Sequence, residues 1–156
     1  MDASSILDTL KTAVPGASYE AGASVDFATI YVPAASLVET CRALRDTPSL
    51  RFNVLIEVTA ADYLPREPRF EVVYHLLSIP NRLRLRVKVR VASNEVDGVL
   101  PTVQSIWPAA GWPEREIGKD TPRARITPSR FARPRRPMSR SRSRKTSSRR
   151  TSREIV

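Results

Sequence analysis

Residues 82–91 read RLRLRVKVRV, and so strict an alternation fits one backbone conformation. A period of two puts every second side chain on the same face of an extended strand. Arg82, Arg84, Arg86, Lys88 and Arg90 would share one face, and Leu83, Leu85, Val87, Val89 and Val91 the other. A helix would scatter the same cations around its circumference. The aliphatic face needs a core, and the cationic face needs water or a partner.

The run just before it is its natural strand partner. In RFEVVYHLLSI, Phe70, Val72, Tyr74 and Leu76 alternate with Glu71, Val73, His75 and Leu77. Both sets are largely apolar, which predicts a strand inside the sheet rather than at its edge. Ile79-Pro80-Asn81 supplies a turn, so the two runs form a hairpin, with Glu71 near Lys88 or Arg90. Upstream, RFNVLIEV places Phe52, Val54, Ile56 and Val58 on one face, with Asn53 and Glu57 on the other.

The N-terminal part alternates helix and strand. Ile6, Leu7 and Leu10 predict a helix over 3–13, stopped by Pro15-Gly16. VDFATIYV, at 25–32, is rich in β-branched and aromatic residues and reads as a strand. A second helix follows Pro33, with Leu37, Val38, Cys41 and Leu44 on one face, and Thr47-Pro48 ends it. One more short strand fits near Ser18–Glu20. The order α-β-α-β-β-β predicts an α+β two-layer domain, helices on one face of a mostly antiparallel mixed sheet. After the hairpin, Val99, Val103, Ile106 and Trp107 predict a short helix starting near Pro101. Trp107 and Trp112 are expected to anchor that segment.

Charge divides the chain. The net charge of +10 points towards nucleic acid until it is placed. Residues 118–156 hold 14 Lys and Arg against 2 Asp and Glu, which leaves 12 against 14 for residues 1–117. The body is therefore mildly acidic, and the tail alone makes the chain basic. With Phe131 as its one aromatic residue and many Arg-Ser pairs, the tail has little apolar surface to offset its ordering entropy. The expected division is a domain over 1–117 and a disordered Arg/Ser/Pro-rich tail over 118–156.

Candidate chemistry is sparse. Cys41 is the one cysteine, so the chain can form no internal disulfide, which fits a reducing compartment. It also excludes an iron–sulfur cluster held by this chain's own thiolates. His75 is the one histidine, and without a cysteine cluster it builds no zinc site. It reads as a hydrogen-bonded sheet histidine, and Cys41 as core packing. No glycine-rich phosphate loop is present. Glu114 and Glu116 flank Arg115; on an extended chain the two acids would share a face, yet an ion-paired surface or interface is the commoner use of such a triplet. The N-terminus does not read as a signal peptide. The longest uncharged stretch, 98–113, contains three prolines and cannot be a membrane-spanning helix. The cationic face of 82–91 could track a phosphate backbone, but it lacks interleaved Phe or Tyr, which favours a solvated or protein-facing surface. The tail could hold RNA or anionic lipid by charge alone.

Two stretches together resemble one family. FEVVYHLLSIPNRLRLRVKVRV, followed by Pro101, Ala110-Gly111-Trp112 and Glu114-Arg115-Glu116, is similar to the C-subunit family of the respiratory NADH–quinone oxidoreductase, complex I. The resemblance covers about residues 3–117 and is strongest over 68–117. It implies a non-catalytic structural subunit of the enzyme's peripheral arm, which clamps the quinone-site and iron–sulfur subunits. The implied partners are the D, B, I and G subunits of complex I, with flavin, iron–sulfur clusters and quinone bound in partner subunits and none by this chain. The implied location is the cytoplasmic side of the bacterial inner membrane, peripheral, with no nucleic acid. Trp112, Glu114, Arg115 and Glu116 are the expected contact with the D subunit. The rival reading is a nucleic-acid-binding module that uses the basic strand face and the tail.

The resemblance stops abruptly. Lys119 stands where the family has an acid, and the family's Gly-His-Pro segment does not follow. The expectation is a C-terminal arm that is missing or frameshifted, since GC-rich codons read out of frame give Arg, Ser, Pro and Ala. The coding DNA tests this: if no single-base shift restores a Gly-His-Pro segment, the tail is genuine.

Overall fold

The computed structural model describes residues 2–91, 99–120 and 125–127. Helix α1 (Ala3–Ala13) buries Ile6, Leu7 and Leu10. Strands β1 (Glu20–Gly22) and β2 (Ala28–Tyr31) form an antiparallel pair. A single tight turn, Ala34–Ser36, leads into α2 (Leu37–Asp46), which buries Leu37, Thr40, Cys41 and Leu44. Thr47 takes an extended conformation because Pro48 follows it, and the helix ends there. Then come β3 (Val54–Asp62), β4 (Phe70–Ser78) and β5 (Leu83–Val91).

The five strands lie in the order β1-β2-β5-β4-β3, with β2–β5 the one parallel pair. Strands β2 and β3 therefore run the same way but are not neighbours. The crossover through α2 leaves a slot, and the β4–β5 hairpin fills it. The helices share one core with Ile30, Val72, Tyr74, Leu76, Leu85, Val87 and Val89, all from the same face of the sheet. The expected two-layer α+β domain and the hairpin are both present.

Three expectations need correction. First, the period of two in β3 breaks. Leu55 pairs with Leu76 and Glu57 with His75, so Ile56 is bulged out. Leu55 and Val58 face the core while Ile56 is 56% exposed, and the expected face of Phe52, Val54, Ile56 and Val58 does not exist. Second, Arg82 belongs to the turn, with φ of 52°, so β5 carries Arg84, Arg86, Lys88 and Arg90 alone. Third, Pro101 ends a strand instead of opening a helix. Strand β6 is Val99–Pro101, followed by one helical turn in which Val103 O accepts from the Ile106 and Trp107 amides at 2.9 and 3.0 Å. Pro108 then holds Trp107 extended, and a second tight turn at Pro108–Ala110 leads into α3 (Gly111–Asp120), which has Pro113 in its first turn.

The boundary read at 117 falls inside α3, and β7 (Arg125–Thr127) pairs in parallel with β6. Strand pairing draws on backbone groups and needs no apolar composition, so the Arg-rich composition gave no sign of β7. The remainder of the predicted disordered tail, 121–124 and 128–156, lies outside the described residues.

Tyr74 is fully buried, and among the described residues its hydroxyl has no hydrogen-bond partner. Burial pushes its pKa well above the ordinary phenol value. A buried hydroxyl without a partner costs about 1–3 kcal/mol. Tyr74→Phe should therefore raise unfolding stability by about 1 kcal/mol, seen as a higher urea midpoint at unchanged slope. A lower midpoint would show that the hydroxyl is satisfied.

Candidate interaction surface

Helix α3 sorts the expected contact residues by direction. At about 100° per residue, positions three apart share a face and positions two apart do not. Gly111, Glu114 and Ile117 point inward. Trp112, 68% exposed, and Arg115 point outward, while Glu116 is half-buried on the flank. Glu114 and Glu116 diverge and form no catalytic pair, because the segment is helical and not extended.

Glu114 is 4% exposed and serves as a staple. One carboxylate oxygen accepts from the Val103 amide at 2.9 Å and the other from the Thr102 hydroxyl. Burial raises its pKa above the ordinary carboxylate value, and these two donors only partly offset that. Two further bonds tie the same segment to the approach to β3 and to α2. The Trp107 indole N–H donates to Phe52 O at 3.1 Å, and Arg45 donates to Ile106 O at 3.0 Å. Arg115 Nε donates back to Gly111 O at 3.2 Å, which holds the guanidinium along the exposed side of the helix. Trp107 is thus the anchor, and Trp112 is presented outward.

The other face of the sheet is the second candidate. Lys88 pairs with Glu71 at 3.0 Å and Arg90 with Glu20 at 2.9 Å. The expectation of a purely cationic face is corrected here. Strand β2 and the residue before it add aromatics, with Arg86 lying 4.7 Å from the Phe27 ring centre and Arg90 4.0 Å from that of Tyr31. Phe27 and Tyr31 are four apart, so they share a face; only the parallel β2–β5 pairing brings that face beside the arginines. His75 sits edge-on to Phe27 at 6.1 Å. Burial, then the Arg86 charge, hold its imidazole below the ordinary value, with Glu57 opposing.

Cys41 is fully buried, and burial pushes its thiol far above the ordinary range, so it is packed and chemically quiet. Among the described residues no three His, Cys, Asp or Glu side chains converge as metal ligands would, and no helix is long and apolar enough to cross a membrane.

Residues 30–118 match the family described as respiratory-chain NADH dehydrogenase, 30 Kd subunit. The chain belongs to this family. The matched span contains the hairpin, the Trp107 anchor and the Glu114 staple together. Among its relatives, the NADH-quinone oxidoreductase C subunit of Roseiflexus sp. (strain RS-1) is 41% identical over 116 residues, covering 74% of this chain and 66% of that one. The corresponding C subunit of Citrifermentans bemidjiense is 46% identical over 88 residues, covering 56% of this chain and 52% of its own. The chain thus spans less than two thirds of these curated relatives. Two solved structures share the fold. A trypsin-resistant fragment (1-134) of Nqo5 aligns with TM-score 0.55 at 27% identity, over 74% of this chain and 89% of that one. A chain of the archaeal membrane-bound sulfane sulfur reductase, a respiratory membrane complex, aligns with TM-score 0.59 at 27% identity, over 73% of this chain and 64% of that one.

Proposed function

We propose that the chain is a non-catalytic structural subunit in the peripheral arm of a proton-pumping NADH:quinone oxidoreductase. In this reading it clamps the quinone-site and iron–sulfur subunits, with the D subunit its principal neighbour and the B, I and G subunits beside it. Flavin, iron–sulfur clusters and quinone reside in partner subunits, on the cytoplasmic side of the bacterial inner membrane. The observation that carries the reading is the family match over a domain that uses the buried Glu114 for internal stapling. Glu114 fixes α3 from within, and Trp112, Arg115 and Glu116 meet the neighbour. Partly exposed aromatic and arginine anchors are the residues that dominate protein interfaces.

Replacing Trp112 or Arg115 by alanine should leave the domain folded and weaken its association with the D subunit by about thirtyfold, the loss of one interface anchor of about 2 kcal/mol. Native gels should show less assembled complex, while NADH oxidation by artificial acceptors at the flavin stays unchanged. Normal assembly in both variants would remove α3 from the contact.

A further inference from the structure

The open sheet face lies on the opposite side of the sheet from the helices and offers a second surface. Of the cations on β5, Lys88 and Arg90 are neutralised inside the domain by Glu71 and Glu20. Among the described residues Arg84 and Arg86 make no ion pair. They stand two apart on one strand, about 7 Å along the same face. Two like charges held so close repel, and an external anion relieves them. Their surroundings are partly apolar: Leu77 pairs with Arg84 across the hairpin, and Val54 pairs with Leu77. At the hairpin turn Ile79 is 61% exposed.

We propose that this face, centred on Arg84 and Arg86, docks an extended acidic segment of a partner protein whose carboxylates alternate with uncharged residues. The spacing is the first reason. Alternate side chains of an extended peptide repeat at the same distance as Arg84 and Arg86, so two carboxylates can meet two guanidinium groups at once. Pre-organisation is the second. Phe27 holds the Arg86 guanidinium over its ring and leaves the N–H edges to a ligand. The third reason excludes the rival ligand. A nucleic acid would need the aromatic faces for stacking, but Arg86 lies over the Phe27 ring, and Arg90 and Lys88 over that of Tyr31.

His75 reports on this face. It is the chain's one histidine, it pairs with Arg86 across the hairpin, and it touches Phe27. The full chain can be titrated with a peptide of alternating glutamate and threonine while the His75 imidazole signals are followed by NMR. The tail carries positive charge of its own, and following His75 rather than total binding keeps the readout on the sheet face. Saturable movement of the His75 signals is expected, with a rise in the imidazole titration midpoint as carboxylates offset the Arg86 charge. Arg84→Gln, at an exposed position, should weaken binding about fivefold, and Arg84→Gln with Arg86→Gln by about tenfold or more. His75 signals that stay still at saturating peptide, or an unchanged affinity in the double variant, would overturn the proposal. So would a single-stranded oligonucleotide of equal charge that moves His75 at lower concentration than the peptide. None of these outcomes depends on the α3 contact with the D subunit.

Discussion

Trp107→Ala is expected to remove about 3–5 kcal/mol of folding stability, the usual result of emptying a large aromatic site. Domains of this size hold only about 5–15 kcal/mol in total, so the variant should lose a large share of its stability, and all of it at the lower end of that range. The site explains the size of the effect. Trp107 is buried, and its indole N–H meets Phe52 O at 3.1 Å. Phe52 in turn donates its amide to Leu44 O at 2.9 Å. The end of α2, the approach to β3 and the segment before α3 therefore converge on one ring. Trp107→Phe keeps most of the apolar contact but takes the donor from a buried carbonyl, and should cost less, about 1–3 kcal/mol. Urea unfolding of wild type and both variants checks the two values. Equal losses in the two variants would assign the effect to the hydrogen bond and not to packing.

The second large effect belongs to Glu114. Glu114→Ala leaves the Val103 amide and the Thr102 hydroxyl without their acceptor, at a cost of about 2–3 kcal/mol. Glu114→Gln keeps one acceptor oxygen and the shape, and should be nearly neutral at about pH 7. The two variants separate the staple from its charge. Burial raises the Glu114 pKa in the folded protein above its unfolded value. The folded state thus binds that proton more tightly. The resulting stabilisation is fully present below the ordinary carboxylate range, about pH 4, and is lost as pH rises through the elevated folded value. Wild type should lose stability relative to Glu114→Gln across that window and then level off. If wild type instead gains on the glutamine variant as pH rises, the donors from Thr102 and Val103 outweigh burial.

The sequence was legible where a local pattern had a local cause. The alternation over 82–91 and the turn at Pro80 are short-range, and both the strand and the hairpin follow from them. The β3 bulge at Ile56 was not legible, because the run RFNVLIEV keeps a regular period while the backbone does not; the pairing with β4 decides which residues face the core. The helix after Pro101 was misplaced for a related reason. Pro101 suits both a strand end and a helix start, and pairing with β7 selects the former. At the candidate surface, the sequence marked Trp112 to Glu116 as a unit, and helical geometry separates them. Glu114 turns inward to Thr102 and Val103, partners that no spacing rule marks. Phe27 and Tyr31 went unnoticed beside the arginines because a parallel pairing of distant segments has no local signature.

The slot between β2 and β3 has a consequence for how the chain is made. Strand β2 and α2 leave the ribosome well before β5, the strand that among the described residues joins β1 and β2 to the rest of the sheet. Until the hairpin is synthesised, the apolar side chains of Ile30 and Leu55 wait without their sheet neighbours. A sheet closed by its latest strand buries little before that strand arrives, and such long-range closure is slow and exposed to aggregation. The nascent chain should therefore need protection until residue 91 is clear of the exit tunnel, and only then can the first two strands be held in place.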